Sequence, residues 1–313
     1  MMSIPSSSAT LPQPTRASPH ESQTTEHARQ LGRGERFPFG ENWRRFLDVL
    51  DDDRIREAER SIRELLGANE LSGRSFLDVG CGSGLFSLAA RRLGARVRSF
   101  DFDPASVACT AELRRRYAAD DDGWMVEEGS VLDPTYVASL DTYDIVYSWG
   151  VLHHTGAMWR ALDHVADVVA PGGSLAIAIY NDQGTWSHRW RFIKRLYCSG
   201  AAARRLVCAT CIPAFVLRGL VSDVIGRRNP FARYTEYRRN RGMSALHDMI
   251  DWLGGYPFEV AKPEAIFDRF RAHGFELTRL RTAGGTVGCN EFVFRRLGAA
   301  SLPRLHGADA ASS

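Results

Sequence analysis

The chain has 313 residues with a net charge of +3, and 44% of its residues are hydrophobic and 25% charged, as in a globular protein with a full-sized core. Six scattered cysteines exclude a disulfide framework for a chain of this length and favour reduced thiols. No window reaches the roughly 20 apolar residues of a bilayer-spanning helix, so we expect a cytoplasmic protein.

The two ends and the first helices have distinct compositions. Residues 1–35 are rich in Ser, Thr and Pro and lack the apolar segment of a secretory signal, so they are predicted to be a disordered leader. Residues 36–72 form a predicted helical extension, in which 42–67 read as one amphipathic helix ending at Gly67. The tail, 299–313, is predicted to be disordered.

An alternation of strands and helices begins at residue 73. Short apolar runs predict five strands, at 75–80, 95–103, 124–131, 143–150 and 174–181. Amphipathic segments separate them, and the last is predicted to stop at Pro171-Gly172-Gly173. This order predicts an α/β fold with a parallel sheet and helices on both faces. Its core covers residues 73–182, and residues 262–298 add one helix and two closing strands.

Three glycines, Gly80, Gly82 and Gly84, follow the first strand, and Asp101 closes the second. Such a loop lets a ligand approach the backbone, and the acid is placed to accept hydrogen bonds from ribose hydroxyls. A tight turn without a ligand is one alternative. A nicotinamide dinucleotide is another, but it favours Gly or Ala at the sixth position, where Leu85 stands.

Four motifs in the expected order resemble the class I S-adenosylmethionine (SAM)-dependent methyltransferases. They are "LDVGCGSG", "FDFDP", "YDIVYSWGVLHHT" and "APGGSLAIA", and together they lie within residues 74–180. The chain is most similar in character to the small-molecule branch, which includes the ubiquinone-biosynthesis O-methyltransferases. This resemblance implies a Rossmann-like sheet of seven mostly parallel strands and SAM as the cofactor.

The resemblance also implies which residues hold the cofactor. Asp101 is expected at the ribose, Phe102 against the adenine, and Ser148 and Trp149 beside the sulfonium. Ser130 stands where the family usually has an aspartate near the adenine, so Asp133 or the backbone takes that place in our prediction. The full predicted set is Asp78, Gly80, Cys81, Gly82, Gly84, Asp101, Phe102, Ser130, Val131, Ser148 and Trp149.

Candidates for the chemistry follow the fourth and fifth strands. His153 and His154 are predicted near the methyl donor, where a histidine suits proton removal near neutral pH, with capping or packing as the alternative. Asp182 is a further candidate, with turn formation as its alternative. Adjacent histidines cannot readily face one ion, so no metal is predicted. Ser148-Trp149-Gly150 replaces the motif of enzymes that methylate base amino groups.

Residues 183–261 are predicted to be an inserted, largely helical cap. Between residues 185 and 241 there are thirteen Arg or Lys and two acids, a net +11, so the rest of the chain carries −8. A solvated helical face explains this, as does an anionic partner. A third hypothesis is a membrane-surface lid at 204–220, which would suit a lipophilic substrate. Nucleic acid is disfavoured because no base-stacking motif is present.

Substrate-binding residues are predicted at the end of the fifth strand and in the cap. They are Tyr180, Asn181, Arg241, His247, Asp251 and Tyr256, and a salt-bridged structural helix is the alternative for those in the cap. The predicted function is methyl transfer from SAM to a small hydroxylated metabolite, most simply as an O-methyltransferase. The alternatives are methylation of tRNA or protein, and a SAM-binding protein without catalysis. No oligomeric state is predicted.

Overall fold

The computed structural model describes residues 19–119, 121–226, 245–285 and 288–298. Within these ranges the strands are β1 (Ser75–Val79), β2 (Arg96–Asp101), β3 (Trp124–Glu128), β4 (Tyr143–Trp149), β5 (Val169–Tyr180), β6 (Phe275–Arg281) and β7 (Cys289–Arg296). The helices are α1 (Pro19–Gly32), α2 (Phe39–Leu47), α3 (Asp52–Leu66), α4 (Leu85–Arg92), α5 (Pro104–Tyr117), α6 (Pro134–Ala138), α7 (Met158–Asp167), α8 (Thr185–Cys198), α9 (Ala201–Ile225), α10 (Ala245–Gly254) and α11 (Pro263–Ala272).

The seven strands form one sheet in the order β3-β2-β1-β4-β5-β7-β6. The first five strands in this order, from β3 to β5, pair in parallel, and β7 runs antiparallel to both β5 and β6. The predicted Rossmann-like sheet of seven mostly parallel strands is confirmed. Because β1 lies between β2 and β4, the chain reverses its winding there, and the strand ends open a crevice at that edge.

Helices cover both faces of the sheet, as predicted. Consecutive residues on a strand point to opposite faces, and Phe76 and Leu77 accordingly belong to separate buried clusters. The Phe76 cluster includes residues of α3, α4 and α5, and the Leu77 cluster includes residues of α7 and α11. The sheet is therefore buried on both sides, which is the usual condition of parallel strands.

The amino-terminal region departs from its prediction twice. Residues 19–32, predicted within a disordered leader, form helix α1, and buried His27 holds it against the core. The predicted helix 42–67 is two helices, since Asp51 caps α3 by accepting a hydrogen bond from the Arg54 amide at 2.9 Å. Gly67 ends α3 in the left-handed conformation, with φ at +63°, as its stop signal predicted.

Strand β5 begins earlier than the sequence indicated. Helix α7 ends at Asp167, before the predicted stop at Pro171, and the strand already includes Val169. Contacts with β4 explain this earlier start of β5. Tyr143 pairs with Val169, and the Tyr143 amide donates a hydrogen bond to the Val168 carbonyl at 2.9 Å. Sheet pairing thus overrides the local helical pattern at this junction.

The described part of the cap, between β5 and α11, is helical. Helices α8, α9 and α10 share a third buried cluster that includes Tyr197, Val207 and Leu253. Phe37 from the amino-terminal segment belongs to the same cluster, so the cap and the first helices pack together. Lys194 is fully buried here and donates to the Trp252 carbonyl, and burial lowers its pKa to about 7.

Helix α9 extends beyond the predicted lid at 204–220, from Ala201 to Ile225. Pro213 and Arg218 lie inside this 25-residue helix without ending it. Judged by length and composition alone, α9 is long and apolar enough to cross a membrane. The sequence analysis had predicted no segment of that length and composition. Among the described residues it is the one helix that meets this criterion.

Candidate functional site

A cavity of about 630 Å³ opens at the carboxyl edge of the sheet. The loops after β1, β2, β3 and β4 form its floor, and α1, α2 and the segment between them form the opposite wall. This volume is within the range of about 300–1,000 Å³ typical of small-molecule sites. The position is the one predicted for ligands of such a sheet.

The glycine loop requires glycine at each predicted position. Gly80, Gly82 and Gly84 have φ values of +78°, +55° and +78°, which other residues rarely adopt. A Cβ at Gly80 would lie 2.3 Å from Cγ1 of Val151, and one at Gly82 would lie 3.0 Å from Nε1 of Trp43. These three positions therefore have neither conformational nor steric room for side chains. Gly80 and Gly82 line the cavity, but Gly84 does not, contrary to its prediction, because it packs against Thr110 of α5.

Asp101 organises this loop from the end of β2. Its carboxylate accepts hydrogen bonds from the Gly82 amide at 3.0 Å and the Asp103 amide at 2.9 Å. Burial raises the pKa of Asp101 to about 6, although these two bonds oppose the shift. A carboxylate has about four acceptor sites, so it retains capacity for ribose hydroxyls from the cavity.

Asp78 is a second acid in the cavity wall, at the end of β1. Its Oδ2 accepts a hydrogen bond from Ser87 Oγ at 2.5 Å, and Ser87 also contacts Ser99 Oγ at 2.7 Å. Burial, aided by the nearby Asp101, raises the pKa of Asp78 to about 7, although the hydrogen bond from Ser87 opposes the shift. Two acids with raised pKa values facing one cavity suit a cationic ligand, which would stabilise both carboxylates.

The far side of the cavity comes from the amino-terminal segment, which the sequence analysis missed. The Arg36 guanidinium lies 5.0 Å from the Phe102 ring centre, and His27 meets the same ring edge-on at 5.4 Å. Arg36 Nε donates to Gln30 Oε1 at 2.8 Å, which fixes its position. No motif marks these residues, because their role depends on α1 docking over the loop after β2.

His27 is buried and its Nε2 has no hydrogen-bond partner among the described residues. That nitrogen lies 3.7 Å from Asp103 Oδ2, and burial lowers the pKa of the ring despite this acid. An unpaired buried nitrogen in the wall of a cavity is costly unless a ligand completes its hydrogen bonding. His27 is therefore a candidate ligand contact beside Phe102.

Four further predicted cofactor residues line the cavity: Cys81, Ser130, Val131 and Trp149. Ser130 Oγ accepts from the Leu132 amide at 3.2 Å. Asp133, offered as its substitute, lines the cavity while its Oδ1 caps α6 by accepting from Thr135.

Ser148 does not reach the cavity, contrary to the prediction. It is fully buried within the sheet, and its Oγ donates to the Val79 carbonyl at 2.9 Å. The reason is strand alternation, because Trp149 and Tyr147 face the cavity and the intervening side chain points away.

The two histidines after β4 have different positions. His154 lines the cavity, and its Nδ1 lies 2.6 Å from the Pro257 carbonyl oxygen, so Nδ1 carries the proton. Burial lowers the pKa of His154 to about 3, which keeps the ring neutral at neutral pH. His153 is fully buried outside the cavity and accepts from the Tyr180 amide at 3.3 Å. Its predicted contact with the methyl donor is not formed.

The predicted substrate residues at the end of β5 lie outside the cavity. Tyr180 packs 4.0 Å from the His153 ring, and Asn181 accepts from Asn290 at 3.1 Å. Asp182 accepts from the Gly184 amide at 2.8 Å, which is the turn that its alternative described. Tyr256 packs in the cap cluster. Tyr180 and Asn181 instead line a separate small pocket with Trp190 of α8 and Trp252 of α10.

The remaining predicted substrate residues cannot be placed. Arg241 lies outside the described residues, and the side chains of His247 and Asp251 in α10 do as well. In the described part of the chain, no group of three or more His, Cys, Asp or Glu could hold a metal ion.

Aromatic side chains line the rest of the cavity. Trp149 stacks on Tyr147 with ring centres 5.6 Å apart, and Tyr147 in turn meets Phe86 at 5.2 Å. Trp43 and Phe46 of α2 complete this aromatic wall opposite the glycine loop. The amphipathic pattern of α2 showed that one face is buried, but it did not show that this face covers a cavity.

The strand order and the loops that build this cavity define a Rossmann-like class I methyltransferase. A family model described as a methyltransferase domain matches residues 50–207, and the chain belongs to that family. Its cofactor is S-adenosylmethionine. The residues present fit this cofactor, since they combine a glycine loop, an aromatic ring and two buried acids, Asp78 and Asp101, the second of which is also the predicted ribose acid.

Individual relatives match only part of their own length. The ribosomal protein L11 methyltransferase of Xanthomonas axonopodis pv. citri (strain 306) is 34% identical over 126 residues, 38% of this chain and 36% of that protein. The ubiquinone biosynthesis O-methyltransferase of Bradyrhizobium sp. (strain ORS 278) is 30% identical over 135 residues, 43% and 50% of the two chains. The chain thus spans at most half of these relatives.

Among solved structures, an O-methyltransferase family protein from Burkholderia thailandensis has a TM-score of 0.49 and 14% identity, covering 90% of this chain and 71% of that one. The magnesium protoporphyrin IX methyltransferase of Synechocystis PCC 6803 with bound S-adenosylhomocysteine has a TM-score of 0.46 and the same identity, covering 77% and 83%.

We expect SAM affinity to fall as the pH drops below about 7, in two steps. The pKa of Asp78 is about 7 and that of Asp101 about 6, so each acid becomes protonated as the pH falls and must lose its proton again to bind a cation. Well below both pKa values, affinity should fall by roughly tenfold per pH unit for each linked proton.

Isothermal titration calorimetry at several pH values, repeated in buffers of different ionisation enthalpy, measures both the affinity and the protons released. Asp78→Asn and Asp101→Asn should each remove one of the two steps. An affinity that does not change between about pH 5 and pH 8 would contradict the linkage.

Proposed function

We propose that the chain transfers the methyl group of SAM to a hydroxyl oxygen of a small aromatic or lipophilic metabolite. The observation that carries this proposal is the aromatic wall beside the glycine loop, formed by Trp43, Phe46, Phe86, Tyr147 and Trp149. Apolar and aromatic linings bind ligands of matching character by removing their surfaces from water. The relatives that are O-methyltransferases of ubiquinone biosynthesis support the same class of acceptor.

In this proposal the chain contributes mainly alignment. SAM, when bound, would supply an activated methyl group. The acceptor oxygen would form the new C–O bond as the C–S bond breaks, leaving S-adenosylhomocysteine, and the hydroxyl proton would pass to solvent. The glycine loop and Asp101 hold the cofactor, and the aromatic wall holds the acceptor in line with it. Alignment of this kind lowers a barrier by about 7 to 11 kcal/mol.

His154 is a positioning residue in this proposal. With a proton on Nδ1 directed at Pro257, its Nε2 is left as a hydrogen-bond acceptor for a hydroxyl in the cavity. A pKa of about 3 makes this nitrogen a poor site for holding a proton at neutral pH. We therefore propose that it orients the acceptor hydroxyl, and the sequence-based prediction of a general base remains open to test.

Incubation of the purified protein with methyl-labelled SAM and cell extract tests the acceptor class. We expect label in organic-extractable small molecules, identified by mass spectrometry as O-methylated products. Label in protein would instead favour the L11-type alternative, which the 34% identical relative suggests, and label in RNA would favour a tRNA acceptor. SAM binding without any labelled product would contradict the proposed activity. Asp101→Ala is the control for cofactor-dependent labelling.

A further inference from the structure

Helix α9 is apolar around its circumference, but only one side of it is packed. Val207, Cys211 and Phe215 contact the cap cluster that α9 shares with α8 and α10. The opposite side carries no such contacts among the described residues. A helix that is hydrophobic all round is normally enclosed by protein or by lipid.

Exposed apolar side chains lie on one side of the outer face, at Leu206 and again from Leu217 to Val224. Leu206, Leu217, Leu220, Val221 and Val224 are separated by 11, 3, 1 and 3 residues, which places them on one side of a helix. Leu217 is 62% exposed and Val224 is 68% exposed. Of the thirteen large hydrophobic side chains that are exposed in the described ranges, eight belong to α8 and α9. Exposed apolar residues therefore concentrate on the cap.

Exposed arginines lie on the same helix. Arg205 stands near the start of α9 and Arg218 further along, and both are exposed, whereas the Arg204 guanidinium lies over the Tyr197 ring of α8 at 5.4 Å. In the sequence, residues 227–244 that follow contain six arginines and one glutamate. The outer face thus lies within the segment of net charge +11, while the rest of the chain is net negative. Both the apolar face and its surroundings complement a surface that is anionic outside and apolar beneath.

We propose that the outer face of α9 binds the surface of an anionic lipid bilayer, with its leucines and valines below the head groups and the arginines at their level. A second copy of the chain would bring two sets of arginines together, which charge repulsion opposes. A membrane-spanning position would place Arg218 in the hydrocarbon and strip the inner face from its cap partners. Membrane binding by α9 does not depend on which molecule accepts the methyl group.

Flotation of the full-length protein with lipid vesicles tests this inference. One vesicle set contains equal amounts of phosphatidylcholine and phosphatidylglycerol, and the other contains phosphatidylcholine alone. We expect the protein to float with the anionic set, less with the neutral set, and less again as salt is raised. The double variant Leu217→Ser, Val224→Ser should weaken vesicle binding about tenfold or more, because it removes two aliphatic side chains that the bilayer would bury.

Met125→Ser is the matched control, since Met125 is 54% exposed on β3 and lies outside the cap. It should bind vesicles as the parent does, and all variants should bind SAM in solution with the parent's affinity, which separates this test from that of the activity. Absence of flotation, or flotation that the double variant leaves unchanged, would overturn the inference. So would resistance to alkaline carbonate, which indicates spanning, or a dimer that only the double variant dissociates.

Discussion

Asp101→Ala should weaken SAM binding by about 2 to 3 kcal/mol, or roughly 30- to 160-fold in Kd, because a charged acceptor is lost from a buried hydrogen-bonding site. The residue has two roles that this change removes together. It holds the Gly82 and Asp103 amides, and it retains acceptor sites for ribose hydroxyls. Isothermal titration calorimetry with SAM and with S-adenosylhomocysteine measures the loss for both forms of the cofactor.

Asp101→Asn separates the two roles of Asp101. It keeps the size of the side chain and one oxygen for a loop amide, but it removes the charge and half of the acceptor capacity. We expect a smaller loss than with alanine. The control is Asp53→Ala, which removes the same charge from a side chain that is 87% exposed on α3 and should leave Kd within about twofold. Unchanged affinity in Asp101→Ala, with the fold intact by circular dichroism, would refute its assignment.

Deletion of residues 1–35 should reduce SAM affinity at least about tenfold and methyl transfer further, because the cavity loses one of its walls. The deletion removes α1 with His27 and Gln30, and it leaves Arg36 without the Gln30 bond that positions it over Phe102. It also admits water to the acids, which weakens their attraction for a cation. Equilibrium binding and initial rates measure the two losses separately.

A shorter deletion, of residues 1–18, is the matched control because it leaves α1 whole. It should behave as the full chain does. His27→Ala isolates the unpaired nitrogen, and we expect it to reproduce part of the binding loss without changing the oligomeric state. Equal affinity and rates in the full chain and in the 1–35 deletion would show that α1 has no part in the site, as the predicted disordered leader implied.

The parts of the site that follow from local sequence are those whose geometry is local. Gly80, Gly82 and Gly84 mark left-handed backbone positions wherever they occur, because only glycine adopts them without strain. Asp101 follows a run whose period is that of a strand, so its place at a strand end could be predicted. The assignments of Cys81, Phe102 and Trp149 came instead from the resemblance to the methyltransferase motifs, and all three residues line the cavity.

One error is local, and the others concern contacts between distant elements. Ser148 and Trp149 are adjacent in one motif, yet strand alternation sends only Trp149 to the cavity. Tyr180 and Asn181 stand at the correct edge of the sheet but face the cap. Substrate-binding residues were predicted at the end of β5 and in the cap. The cavity wall that faces the strand ends comes instead from α1 and α2, which precede the sheet in the sequence.

The alternating periods, the glycine spacing and the strand-end acid are enough to predict an α/β core with a ligand-binding loop after its first strand, because each depends on backbone preferences within a few residues. The methyltransferase assignment came from the resemblance of four motifs to that family. Only the folded chain establishes that Trp43 closes over Gly82, that His27 approaches Asp103, and that one apolar side of α9 is exposed in the described part of the chain. An apolar period predicts that one face of a helix or strand will be buried, but it does not predict which other element will cover that face. That choice depends on how whole elements pack, which no local pattern encodes.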